Sequence, residues 1–147
     1  MSGNPLPLGD LSSLVGYHLR RASAAFALDF QEAVKGTGMR QVLVGILSII
    51  AANPRVNQGT VGAALGIKRA NMVSLINELV DGGLVAREVS PTDRRAFSLT
   101  LTQAGEAMRQ ECTARIQAHE AQMLADMTAQ ERETLLELLG RIAAKRL

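Results

Sequence analysis

The sequence predicts a mainly α-helical chain carrying one small β-hairpin between its fourth and fifth helices. Three observations lead there. Apolar residues recur at three- and four-residue steps through six stretches, which is the helical period. Between Leu84 and Leu101 that period gives way to strand-like patterning around turn-forming residues. Aromatic residues make up only 3% of the 147 positions and there is no Trp, so Leu, Ile, Val, Ala and Met must build the core. Such a core suits helices packed on helices. The apolar fraction of 47% against 20% charged is that of a globular chain of one domain's size.

Residues 1–9 hold two prolines and two glycines and read as a loose arm. Asp10 is placed to N-cap a first helix running to about Val34, with Leu11, Leu14, Val15, Ala22, Ala25, Phe26 and Phe30 on its apolar side. Gly36 and Gly38 close it. A second helix runs from about Arg40 to Ala52, with Val42, Ile46, Ile49 and Ile50 inward, and Pro54 ends it. Asn57 is spaced to cap a short third helix carrying Val61, Ala64 and Leu65, which Gly66 stops. The fourth spans about Lys68 to Asp81, with Met72, Leu75, Ile76 and Leu79 inward and Gly82-Gly83 at its end.

Leu84 to Val89 is β-prone, and Ser90, Pro91, Thr92 and Asp93 supply turn chemistry. Phe97, Leu99 and Leu101 then alternate with Ser98 and Thr100, as in a strand with one buried face. Thr102 is placed to cap a fifth helix over about Gln103 to Met127. Thr128 and Glu131 have the spacing of a capping box for a sixth, striped by Leu135, Leu138, Leu139 and Ile142.

Several function classes are disfavoured. A single cysteine, Cys112, allows no internal disulfide and no cysteine-rich zinc site. Mid-helix and next to Glu111, it reads as a structural thiol and not as a redox sensor. His18 and His119 lie far apart with no triad or metal spacing, and no glycine-rich phosphate loop follows a strand, so no enzyme, metal or cofactor is expected. No run approaches the roughly 20 apolar residues of a membrane span. No basic segment precedes an apolar one at the N-terminus, so the expectation is a cytoplasmic protein.

Charge placement is more telling than the net value of +2. No acidic residue lies between Glu32 and Glu78, whereas Lys35, Arg40, Arg55, Lys68 and Arg69 do. A cationic middle suits a polyanion. Residues 57–102 add the order short helix, turn, helix, hairpin, a winged helix-turn-helix whose second helix enters the major groove. That helix opens Lys68-Arg69-Ala70-Asn71, with Ser74 and Asn77 on later turns of its polar side. Arginine reads guanine bidentately and asparagine reads adenine, while Lys68 suits a phosphate. Arg94 and Arg95 at the hairpin tip suit an adjacent minor groove.

The run Asp93-Arg94-Arg95-Ala96-Phe97-Ser98-Leu99-Thr100-Leu101-Thr102, followed by Gln103-Ala104-Gly105, resembles the wing signature of the MarR family. Residues 61–85, through Leu65-Gly66-Ile67 to Gly83-Leu84-Val85, resemble its helix-turn-helix. The resemblance covers about residues 10–145. It implies a repressor-type regulator of transcription that binds a near-palindromic operator as a homodimer through its terminal helices. By it, Lys68, Arg69, Asn71 and Ser74 contact DNA, Arg95 enters the minor groove and Asp93 supports it. The chain departs from the common pattern at Ser74 and Glu78, where relatives often carry arginine or another base-compatible residue.

The resemblance also implies a small-molecule effector, an aromatic carboxylate or aromatic acyl-CoA, for which His18, Arg21 and Arg40 are candidate contacts. Dimerisation follows separately from the apolar stripes of the first and last helices, which one small domain cannot fully bury. The expected division is an N-terminal arm and dimerisation helix at 1–36, a DNA-binding domain at 37–102 and C-terminal dimerisation helices at 103–147. A winged-helix protein-interaction module that never touches DNA is the alternative.

Overall fold

The computed structural model describes residues 5–89 and 97–145. Its helices are α1 (Val15–Ala33), α2 (Gln41–Ala52), α3 (Gln58–Leu65), α4 (Arg69–Asp81), α5 (Gln103–Met123) and α6 (Ala129–Ala143). Strands β1 (Val56–Asn57), β2 (Val85–Val89) and β3 (Phe97–Leu101) form one antiparallel sheet in the order β1-β3-β2. Val56 faces Leu99, and Val85 faces Leu101. The fold is therefore helical with a small wing, as the patterning predicts.

Besides the third strand, β1, which the sequence does not predict, three details differ from the sequence expectation. The first helix begins at Val15, not after Asp10, because Gly9–Ser13 forms a separate 3-10 turn and Leu14 is extended. In that turn the Ser12 and Ser13 hydroxyls donate to the Gly9 and Asp10 carbonyls, competing with the continuation of a helix. The fifth helix ends at Met123, four residues before Met127. Phe97, expected on the buried face of its strand, is 36% exposed, whereas Leu99 on the same side is fully buried. It sits at the far end of the β2–β3 ladder opposite Val89, beyond the reach of the core.

The main core lies wholly within the winged-helix segment. Leu43, Ile46, Leu47 and Ile50 of α2 meet Val61 of α3, Met72, Ile76 and Leu79 of α4, Val85 of β2 and Leu99 of β3. Each such side chain contributes roughly 2 kcal/mol by leaving water. A smaller cluster of Val34, Val44 and Cys112 fastens α5 to α2 and the end of α1. The outer helices are sparsely buried: α1 buries only Ala33, and α6 buries nothing. Leu136, Leu138, Leu139 and Ile142 of α6 stay exposed, as do Leu11, Leu14 and Val15 near the N-terminus. Among the described residues no helix is long and apolar enough to cross a membrane.

With no core beneath it, α6 depends on its cap. The Thr128 hydroxyl accepts from the Glu131 N–H at 3.1 Å, and the Glu131 carboxylate accepts from the Thr128 N–H at 3.0 Å. Thr128→Ala should cost about 1 kcal/mol in urea denaturation. The Thr128 N–H also holds the Glu131 carboxyl below its ordinary range. A folded pKa depressed in this way means stability that is complete at neutral pH and fades as pH falls through the folded value. The gap between wild type and Glu131→Ala should therefore narrow on acidification below about pH 4.

Candidate nucleic-acid interface

The α3–α4 unit is set by local chemistry. Asn57 Oδ1 accepts from the Gly59 and Thr60 N–H groups at 2.7 and 3.4 Å, capping α3. Gly66 ends α3 at φ +67°, a left-handed conformation that needs no side chain. Lys68 is then the N-cap of α4. The inward stripe Met72, Ile76 and Leu79 fixes the helix and leaves Lys68, Arg69, Asn71 and Ser74 exposed; Lys68, Asn71 and Ser74 border one shallow groove, whereas Arg69 borders another with Val73 and Phe97. These four predicted contacts thus share one helix end. Asp93, Arg94 and Arg95, predicted at the wing tip, lie outside the described residues.

Two side-chain links tie this helix to its neighbours, and sequence reading found neither. Arg87 of β2 donates from Nη1 to Asn77 Oδ1 at 2.8 Å, and its guanidinium lies 5.2 Å from the centre of the Phe97 ring. The wing base is thereby joined to α4. With Oδ1 engaged by Arg87, Asn77 has only its amide donors left to offer a groove.

The second link is Arg40 with Glu78. Nη1 and Nη2 of Arg40 donate to Oε1 and Oε2 of Glu78 at 2.7 and 2.8 Å, a two-pronged pair between the N-cap of α2 and the third turn of α4. The hydrogen bonds hold the Glu78 carboxyl below its usual range and raise the Arg40 guanidinium. The unexpected acid of α4 is thus neutralised from outside the helix.

Behind the helix-turn-helix lie two hollows. A small cavity of about 130 Å³ between α1 and α5 is lined by Phe26, Phe30, Gln41, Asp29 and His119. Across its rim the Asp29 carboxylate accepts from His119 Nδ1 at 2.9 Å. A broader groove of about 670 Å³ runs between the end of α1 and the start of α2, with Phe30, Val34, Met39 and Val42 as apolar lining and Lys35 and Arg40 as cations. Of the three effector candidates only Arg40 borders either hollow. His18 sits against the Ser12 carbonyl at 3.0 Å, edge-on to Tyr17, and Arg21 is exposed on α1. Phe26 and Phe30 were legible as an apolar stripe, but nothing in the sequence distinguishes a cavity wall from a core. Cys112 is buried, and burial pushes its thiol up, which leaves it poorly nucleophilic.

The MarR family model matches residues 39–96. A protein of Thauera aromatica assigned to transcriptional regulation of the hcr operon is 32% identical over 135 residues, covering 91% of this chain and 81% of that protein. The chain belongs to the MarR family. Members of it are regulators of transcription, not enzymes. This MarR-family chain also superposes on the transcriptional repressor CouR bound to a 23-mer DNA duplex, with a TM-score of 0.90 at 34% identity over 95% of this chain and 99% of that one. Against CouR bound to p-coumaroyl-CoA the TM-score is 0.83 at 31% identity, over 96% and 99% of the two chains.

Proposed function

We propose that this MarR-family regulator is a repressor that binds a near-palindromic operator as a homodimer and leaves it when an aromatic carboxylate or aromatic acyl-CoA binds. The observation that carries the reading is the exposed end of α4. Lys68, Arg69, Asn71 and Ser74 are all exposed there, within a stretch that has no acid from Ala33 to Asn77. Arg94 and Arg95 would extend the contact into the minor groove, with Asp93 holding Arg95. Two such helices in a two-fold dimer meet successive major grooves about 34 Å apart. The exposed leucines of α6 and of the N-terminal turn are the surfaces that dimer would cover. CouR, which has been seen with DNA and with p-coumaroyl-CoA, supports both the target and the effector class. The groove between α1 and α2, lined by Phe30 and by the cations Lys35 and Arg40, suits an aromatic acid or its thioester. There Arg40 would meet an anionic group. His18 and Arg21 would contribute only from elsewhere on α1.

The test is a salt titration. Six to ten phosphate contacts across a dimer predict a log–log slope of roughly −5 to −9 for duplex affinity, by about 0.9 per contact. A flat response to salt with every duplex tried would replace this reading with a protein-interaction module.

A further inference from the structure

Arg40 borders two hollows at once. On one side it closes the groove between α1 and α2, beside Lys35 and the apolar wall of Phe30, Val34 and Met39. On the other it belongs to a shallow groove of about 600 Å³ that it shares with Lys68, Asn71 and Ser74 of the helix-turn-helix. Between them its guanidinium is spent on Glu78, whose Cα lies one helical turn beyond that of Ser74 on the same side of α4. We propose that an anionic effector acts on α4 by drawing the Arg40 guanidinium away from Glu78, which leaves an unneutralised carboxylate beside the DNA-facing residues.

The chemistry favours such an exchange. A carboxylate or phosphate offers Arg40 the same paired oxygens that Glu78 does, so the competition is between like acceptors. Arg40 and Glu78 are 53% and 46% exposed, so their pair is weak enough to be exchanged and its loss leaves the core untouched. Lys35 stands beside Arg40 in the effector groove, as Lys68 does in the shallow groove on the other side, so an anion entering between α1 and α2 would meet two cations there. With Arg40 turned away, Glu78 repels the phosphates that Lys68 and Arg69 attract. Effector and DNA then compete through one side chain without any large movement of α4, and the coupling is reciprocal.

This inference rests on the regulator reading above, and the experiment separates the two. Wild type, Arg40→Gln, Glu78→Gln and the double variant are titrated by fluorescence anisotropy against a duplex selected from random DNA by the wild type. Each titration is run alone and with p-coumarate, coenzyme A or p-coumaroyl-CoA, which separates a carboxylate from phosphates as the anion. Arg40→Gln should bind DNA about fivefold more weakly without any effector, and the double variant should recover to within about twofold of wild type. Whichever anion releases the wild type should weaken Glu78→Gln at least about threefold less. A double variant as weak as Arg40→Gln, or a Glu78→Gln protein released as fully as wild type, overturns the exchange. So does a wild type that binds DNA and ignores all three anions. A wild type that selects no duplex overturns the regulator reading, and the exchange falls with it.

Discussion

Arg69→Ala is expected to weaken binding to a selected operator duplex about 10- to 100-fold, since one bidentate base contact carries roughly 1–3 kcal/mol. Position and engagement single out this arginine. Arg40 and Arg87 are spent on Glu78 and Asn77, and so shape α4 from its flanks. Arg69 is the first residue of α4, exposed, and follows the Lys68 N-cap, the helix position from which base-edge contacts are expected. The loss should be selective as well as large. In a binding-site selection, Arg69→Ala should flatten the preference at one position of each half-site. Lys68→Ala should lower affinity for all sequences evenly and shorten the salt slope by about 0.9 for each phosphate contact removed. Uniform weakening by both variants would make Arg69 a phosphate contact and move the guanine reading elsewhere.

What the sequence disclosed and what it hid divide along a physical line. Features written within one turn of the chain were legible. Asn57, Gly66 and the Thr128–Glu131 box end or begin helices because their side chains or φ angles act on backbone groups at most three residues away. The inward stripe of α4 was equally plain, because Met72, Ile76 and Leu79 repeat with the helix. Strand β1 was not, since two residues carry no period, and its only reason to exist is the edge of β3. Nor were Arg40–Glu78, 38 residues apart, or Asp29–His119, 90 apart, since each pair meets only when separate helices pack. For the same reason Arg40 could be named as a candidate effector contact while its partner on α4 could not be named. Glu78 is an odd acid for such a helix by sequence alone, and the fold supplies its counter-ion from α2.

Gly105→Ala should be a severely damaging small change, with a loss of about 3 kcal/mol or more and a melting temperature lower by roughly 10 °C. Helix propensity argues the other way. Gly105 lies in the first turn of α5, where alanine would ordinarily gain up to about 1 kcal/mol. Packing decides against it. Gly105 is buried, and a Cβ there would fall inside the Leu84 carbonyl group, which is backbone and cannot swing aside. That carbonyl is also held from another direction, because it accepts from the Thr102 N–H at 3.1 Å. Thr102 completes the joint: its hydroxyl donates to the Gly83 carbonyl at 2.6 Å and accepts from the Gly105 N–H at 3.0 Å. The end of α4, the start of β2 and the start of α5 thus converge on one methyl-free position. This gives the Thr102-Gln103-Ala104-Gly105 run a mechanical reason to follow the wing. An alanine must push α5 away from Leu84, and with it Met108 and Cys112, which fasten that helix to the core. Thermal unfolding followed by circular dichroism measures the cost, and Ala104→Gly serves as the control because residue 104 is exposed in the same turn. That control should lose only about 1 kcal/mol, the ordinary cost of a helical glycine. A Gly105→Ala protein as stable as wild type would show that α5 can shift freely on the wing, and the joint at Leu84 would then not be what sets its position.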